Sequence, residues 1–293
     1  MPINLEAALS APPATREIAW TQRDALLYHL SLGAGRPVAG KEFDPELRWT
    51  YERDLQVLPT FAAVAGGGIS AGDRPAAGLH LPGIEVDLYK LLHSGQEVTV
   101  HRPLPAAGTA TVTTRVAHLW DKGKAAVIVL EHSAVSPEGE PLWTNVMQIW
   151  ARGEGGFGGE AGPEETWVRP EREPDLVIDA PTGADQALLY RLNGDLNPLH
   201  VDPEFAAKVG MDAPILHGLA SYGIVAKALV DGALDGDAAR LESFAVRFAG
   251  TLLPGETLRT SVWREDGELR FVATCPERSG AVVLSHGTAQ VSA

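Results

Sequence analysis

The chain carries its own outline twice. Ala25–Leu30 reads ALLYHL and Ala187–Leu192 reads ALLYRL, 162 positions apart in a chain of 293 residues. Each copy follows a Thr and an Asp, Thr21 and Asp24 in one and Thr182 and Asp185 in the other. Both residue types start helices by accepting hydrogen bonds from free backbone amides. Later in each half a Pro/Gly turn opens a strand-rich stretch. Pro105 and Gly108 precede TATVTTRVAHLW, and Pro254 and Gly255 precede ETLRTSVW. A second run of branched residues follows in each, Ala125–Leu130 and Ala281–Leu284. A repeat of this period dictates two like halves of one α+β unit.

The halves span 1–152 and 171–293, and residues 153–170 between them are dominated by Gly, Glu and Pro, which reads as a linker. The linker holds a formal GxGxxG at Gly153, Gly155 and Gly158. That pattern cradles a phosphate only between a strand and an opening helix. Here EAGPEE follows, with no apolar helix face.

Composition excludes several classes. With 45% apolar and 21% charged residues the chain can fill a core. A net charge of -14 argues against nucleic acid or an anionic membrane as partner. Cys275 is the only cysteine, so the chain has no internal disulfide and no cysteine-based zinc cluster. No basic-plus-apolar N-terminal segment and no apolar run of ~20 residues stands out. The final residues, QVSA, are not the peroxisomal tripeptide. A cytoplasmic location is the expectation.

The chemistry concentrates in Tyr190–Pro203, YRLNGDLNPLHVDP, which sets Asp195, Asn197 and His200 within six residues. Pro198 breaks any helix there and fixes the loop. Asp202 then suits an N-cap, Pro203 a first helical position and Gly210 a stop. A fixed loop presenting an acid and an imidazole is a proton-transfer device. With the halves aligned on the repeat, Asp195 falls opposite Gly33 and His200 opposite Val38, so the first half lacks both groups.

Other readings of the loop compete. His200 and His217 with a carboxylate make a three-ligand zinc set, but the HExxH and paired-Cys spacings are absent. An EF-hand would need Gly at the sixth position and Glu at the twelfth, where His200 and Ala206 stand. Ser221 sits in GLASYG, one residue too long for GxSxG. A plain capping loop, with Asp195 on backbone amides and His200 at a core edge, is the bland alternative. The segment APILHGLASYG that follows opens a long apolar helix, with Leu219, Tyr222, Ile224, Val225 and Leu229 on its buried side. The Gly218 amide lies in its first turn, where free amides and the helix dipole favour a developing negative charge.

GDLNPLHVDP followed by PILHGL resembles the hydratase-2 motif of the MaoC-like, hot-dog-fold (R)-specific enoyl-CoA hydratases. LPTF (58–61), LPGIEVDLYKLL (81–92), DKG (121–123) and GGFGG (155–159) resemble the N-terminal half of the two-domain, eukaryotic-type members. The resemblance implies an α+β double hot-dog fold, each half an antiparallel sheet of six strands wrapped around a long central helix. The pair would be equivalent to the dimer of smaller relatives, acting as a monomer or a homodimer.

The resemblance also implies roles. Asp195 and His200 hold a water against C3 of a trans-2-enoyl thioester, one taking a proton and the other giving one to C2. Asn197 orients the water or the pair, and the Gly218 amide binds the thioester oxygen. His93, Ser94, Lys122 and Arg247 contact the CoA moiety, Phe248 lines the pantetheine channel, and Glu52 gives buried support. No metal, flavin or nicotinamide is implied; CoA enters as part of the substrate. The rival readings are a 3-hydroxyacyl thioester dehydratase of fatty-acid elongation and a non-catalytic acyl-thioester binding protein. In the first half FAAVAGGG (61–68) stands at the helix position, and residues so small leave room for a long acyl chain.

Overall fold

The computed structural model describes residues 2–36, 44–67 and 78–292. Its strands, in chain order, are β1 (Ala14–Trp20), β2 (Gly78–Leu81), β3 (Ile84–Asp87), β4 (Leu91–Val100), β5 (Gly108–Asp121), β6 (Ala125–Val135), β7 (Pro141–Arg152), β8 (Leu176–Pro181), β9 (Leu241–Phe248), β10 (Thr257–Glu265), β11 (Glu268–Cys275) and β12 (Ala281–Val291). Its helices are α1 (Leu5–Ser10), α2 (Gln22–Ser31), α3 (Leu47–Thr50), α4 (Gln186–Tyr190), α5 (Pro203–Lys208) and α6 (Gly218–Ala233).

Ten strands form one antiparallel sheet in the order β1-β5-β6-β7-β4-β9-β12-β11-β10-β8. The order is the same read from either edge once β1 is equated with β8, β5 with β10, β6 with β11, β7 with β12 and β4 with β9. A pseudo-twofold axis therefore passes between β4 and β9, where Gln96 pairs with Val246. The double hot dog expected from the sequence is the fold, with five strands from each half in place of six. Among the described residues no sixth strand of either half joins the ladder, and β2–β3 stand apart as a hairpin. The branched runs Ala125–Leu130 and Ala281–Leu284 also prove not to correspond, since one lies in β6 and the other in β12, the equivalent of β7.

Side-chain pattern explains the layers. Residues 125–130 of β6 are buried without alternation. The sheet of the first half is covered on both faces there, as such runs require. On its outer side Ile3 and Ala8 with Ile84 and Val86 of β3 close over Ala126, Ile128, Leu130 and Ile149. On the inner side lies a core shared by both halves. Its axis is α6, buried all round except at Gly218, Lys227, Asp231 and Gly232. Burial of Leu219, Ile224, Val225, Leu229 and Val230 contributes about 1.5–3 kcal/mol each. At Gly223 a Cβ would stand 2.6 Å from the Tyr28 hydroxyl, so only glycine admits α2 this close.

The halves are locked together. Lys227 Nζ binds Glu46 Oε1 at 2.9 Å and Asp231 Oδ2 at 2.8 Å, and Trp49 Nε1 donates to Asp231 Oδ1 at 3.0 Å. The first half differs from the second at the helix position. There a 3-10 helix, Pro59–Ala63, packs against β4, β7, β9 and α6, and Gly66 and Gly67 follow with φ +73 and +97. Gly68, the last residue of FAAVAGGG, lies outside the described residues, as does Val38.

Candidate active site

The loop after α4 is set by its own residues. Gly194 has φ +112, and a Cβ on it would collide with the Gly67 carbonyl, so glycine is required. Asn193 Nδ2 donates to Ser31 Oγ of α2 at 2.8 Å, tying the loop to the first half. Asn197 Oδ1 accepts the Leu199 amide at 3.1 Å and caps the 3-10 turn Pro198–His200. Asp202 Oδ1 accepts the Glu204 amide at 2.9 Å and caps α5, as its residue type predicts. Asn197 therefore holds the loop backbone that carries His200.

His200 is 8% exposed, and its Nδ1 lies 2.8 Å from the Ile215 carbonyl. A carbonyl can only accept, so Nδ1 carries the proton and Nε2 presents a lone pair. That Nε2 faces Asp195 Oδ2 at 3.9 Å, while Asp195 Oδ1 accepts the Asn197 amide at 3.2 Å. The gap is too long for a direct hydrogen bond. One water about 2.8 Å from each atom would span it with an angle of about 90° at its oxygen. Burial holds the His200 titration below its ordinary range, against the opposing pull of Asp195. The imidazole is neutral and free to accept a proton.

His217, weighed in the sequence only as a metal ligand, belongs to this cluster in another way. It is 1% exposed, and its Nε2–H donates to the Asp195 carbonyl at 3.2 Å. Its ring lies on that of His200, centroids 3.7 Å apart and planes 26° apart. Burial first and His200 second push its pKa down to about 2. Its Nδ1 and the Tyr190 hydroxyl are buried with no partner among the described residues. Such orphans cost about 1–3 kcal/mol each and persist where a site demands them.

Asp195, His200 and His217 bring ligand-type atoms within 4.8 Å of one another. The stack nonetheless suits a cation poorly. Stacked rings only 26° apart in plane send their in-plane lone pairs along nearly parallel planes, whereas a coordinated Zn²⁺ must lie in both ring planes about 2.0–2.1 Å beyond each nitrogen.

Gly218 opens α6 and is exposed; its amide donates to no acceptor among the described residues. The Leu216 amide donates to the Leu252 carbonyl at 2.7 Å, drawing the helix start against the end of β9. Phe248 there lies over Gly218, its Cδ1 and Cε1 each 3.1 Å from where a Cβ would stand. His93 packs edge-on against Phe248 with centroids 4.7 Å apart. Burial lowers the His93 pKa to about 4, and its Nε2 bonds the Gly95 carbonyl at 3.1 Å. Phe248, with His93 behind it, thus walls the start of α6 at Gly218.

The remaining residues expected to contact CoA have partners within the chain. Ser94 Oγ donates to the Gln148 carbonyl at 3.0 Å, within the sheet. Arg247 points to the sheet face opposite Phe248, as the next residue on a strand must, and pairs with Glu165 of the linker. His286 Nε2 joins that Glu165 at 3.4 Å. Lys122 sits at the β5–β6 turn, over the Trp120 ring at 5.8 Å. Glu52 is exposed, and among the described residues only its carbonyl is used, by Gln22 Nε2 at 3.3 Å. The expectation that it is buried support fails, because the turn after α3 turns its side chain to solvent.

The glycine-rich linker is fixed rather than loose. Asp121 accepts the amides of Gly123 (2.8 Å), Gly156 (2.9 Å) and Gly158 (2.9 Å). These bonds hold its carboxyl below the usual range. DKG and GGFGG are therefore two sides of one structural clasp, with an acid of the chain itself inside it.

Comparison with known proteins gives the family. Residues 165–282 match the MaoC like domain family, and residues 19–153 match the MFE-2 hydratase 2 N-terminal domain family. The chain is 48% identical to enoyl-CoA hydratase ChsH3 of Mycobacterium tuberculosis, over 97% of this chain and 98% of that protein. It is 41% identical to 3-hydroxyacyl-thioester dehydratase Y of the same organism, over 92% of each chain. A crystal structure of a MaoC-like dehydratase from Phytophthora capsici superposes with a TM-score of 0.87 at 32% identity, covering 99% of this chain and 98% of that one.

Proposed function

The chain belongs to the MaoC-like family in its two-part form, with a hydratase 2 N-terminal domain ahead of the MaoC-like domain, and on that premise we infer that it catalyses the reversible, (R)-specific addition of water to trans-2-enoyl-CoA. The product is a (3R)-3-hydroxyacyl-CoA. The observation that carries this reading is the 3.9 Å gap between Asp195 Oδ2 and His200 Nε2, sized for one water beside a free helix amide.

The tautomer sets the order of events. The lone pair on His200 Nε2 takes a proton from the water held between it and Asp195. The water oxygen bonds C3 as the C2–C3 π pair moves toward C1, and charge develops on the thioester oxygen. The Gly218 amide, backed by the dipole of a 16-residue helix, binds that oxygen. C2 then takes the proton back from the imidazolium, which the Asp195 carboxylate stabilises meanwhile. One water is consumed, and no proton is gained or lost by the protein. Because the water is fixed on one side, it is delivered to one face of C3. Run backward, the same steps dehydrate a 3-hydroxyacyl thioester, which is how the kinship to a thioester dehydratase fits. The scheme uses no cofactor beyond the CoA of the substrate, and the internal pair of halves completes the sheet without a second copy.

The test is loss of the enoyl-thioester absorbance of trans-2-decenoyl-CoA, with a coupled (3R)-hydroxyacyl-CoA dehydrogenase reporting stereochemistry. Rapid loss with a (3R) product is expected. A (3S) product, or binding without turnover, would overturn the reading.

A further inference from the structure

The mechanism above uses Asp195, His200 and Gly218 and leaves His217 without a task. Yet His217 is the most deeply buried of the three imidazole and carboxylate groups gathered there. It touches both catalytic side-chain residues by different parts of one ring. The edge donates through Nε2–H to the Asp195 carbonyl, and the face lies on the His200 ring. It also immediately precedes Gly218 and is the N-cap of α6, its own carbonyl accepting the Ala220 amide at 3.1 Å. One residue is thus connected to the acid, the imidazole and the oxyanion donor.

We propose that His217 is a positioning residue that fixes the water-holding gap between Asp195 and His200, through its Nε2–H on the Asp195 backbone and its ring face on His200. The proposal rests on the hydratase reading. The physical reason is rotational freedom. His200 is held at one nitrogen only, by the Ile215 carbonyl, and a ring so held still swings about that bond. A flat, uncharged partner at 3.7 Å removes the swing on one side and keeps water from the ring face. The partner must stay neutral, because an imidazolium there would repel the one formed on His200 during turnover. The groups facing His217 are Tyr190 from α4, with ring centroids 5.0 Å apart, Asp195 and His200 from the loop, and the Arg191 charge. Asp195 meets it in a hydrogen bond through its carbonyl, and its carboxylate stands within 4.8 Å without bonding the ring.

Two substitutions separate the two contacts. His217→Gln keeps an N–H near the reach of Nε2 and removes the ring face. His217→Phe keeps the face and removes the N–H. Each is expected to lower kcat on trans-2-enoyl-CoA by about 10²-fold, the scale of a small misplacement, with KM within about threefold. In His217→Gln the acidic limb of the kcat profile is also expected to move to higher pH, because water reaching His200 relieves the burial that holds its titration down. Native kcat in both variants, or a loss of kcat with the acidic limb unmoved in His217→Gln, would overturn the proposal.

Should both variants fail to fold, histidine-selective ¹⁵N spectra of the wild-type protein decide. His217 is expected as the neutral Nε2–H tautomer throughout pH 5–8. An Nδ1–H tautomer, or titration in that window, would overturn the proposal. This readout needs no substrate, so it stands or falls separately from the hydratase reading, which the wild-type turnover assay tests alone.

Discussion

Gly218→Ala separates what the fold needs at the start of α6 from what the chemistry needs. The added methyl would stand 3.1 Å from both Cδ1 and Cε1 of Phe248 and 3.7 Å from its Cγ. Carbon atoms in contact prefer about 3.5–4.0 Å, so the ring must retreat by several tenths of an ångström toward His93. Such overpacking costs about 1–3 kcal/mol. Alanine recovers up to about 1 kcal/mol over glycine in a helix. The net is a loss of about 0–2 kcal/mol, which leaves the protein folded at 25 °C. The rate should suffer more. A methyl beside the Gly218 N–H, with a displaced Phe248, denies the thioester oxygen its approach. Losing one oxyanion donor costs about 10²–10³ in kcat, or about 2.7–4 kcal/mol. Enoyl-CoA turnover and thermal unfolding, measured on the same preparation, should therefore diverge. A variant that melts like the wild type and turns over within about threefold of it would refute the assignment of this amide.

Other expectations follow from the same geometry. Asp195→Asn should lower kcat by about 10²–10⁴ while leaving CoA-thioester binding measurable by calorimetry; retained turnover would remove Asp195 from the chemistry. Because burial holds His200 below 6.5 and its neutral form accepts the proton, kcat/KM should persist as pH falls through 6.5 and fail only below it; an acidic limb at or above 6.5 would contradict the assignment. Ala62 is buried in the 3-10 helix Pro59–Ala63, and Ala62→Phe should cut turnover of decenoyl-CoA while sparing crotonyl-CoA; equal loss on both would deny that the acyl chain runs there. Asp121→Ala should free the glycine-rich loop and speed proteolysis between 153 and 159, read by mass spectrometry, and unchanged cleavage would mean that the clasp contributes nothing.

What the sequence disclosed was what neighbouring residues decide among themselves. Asn197, Pro198, Asp202 and Pro203 cap and break their own turns, so the loop and the start of α5 were readable. The apolar run after Gly218 was long enough to be α6. What it hid depends on residues far apart in the chain. The stack of His217 on His200 joins two loops, and the grip of Asp121 on the 156–158 amides joins a hairpin end to a linker. Arg247 shows a neighbour that the sequence did not name, Glu165 of the linker. Alternation along β9 sends Arg247 to the face opposite Phe248, and that signal was present in the sequence. Glu52 was misplaced because an acidic residue beside Trp49 gives no local sign of which way a turn will face.

The seam between β4 and β9 also imposes a timetable. Gln96 pairs with Val246, and the partner strand leaves the ribosome about 150 residues later. At about 5–20 residues per second this is roughly 8–30 s. Until then β4, long and flanked by a well-formed β7, offers a row of unsatisfied amides and carbonyls to any passing chain. Nascent chains halted before β9 should be the ones that associate, and a chaperone that shields one strand edge for that interval would meet the need.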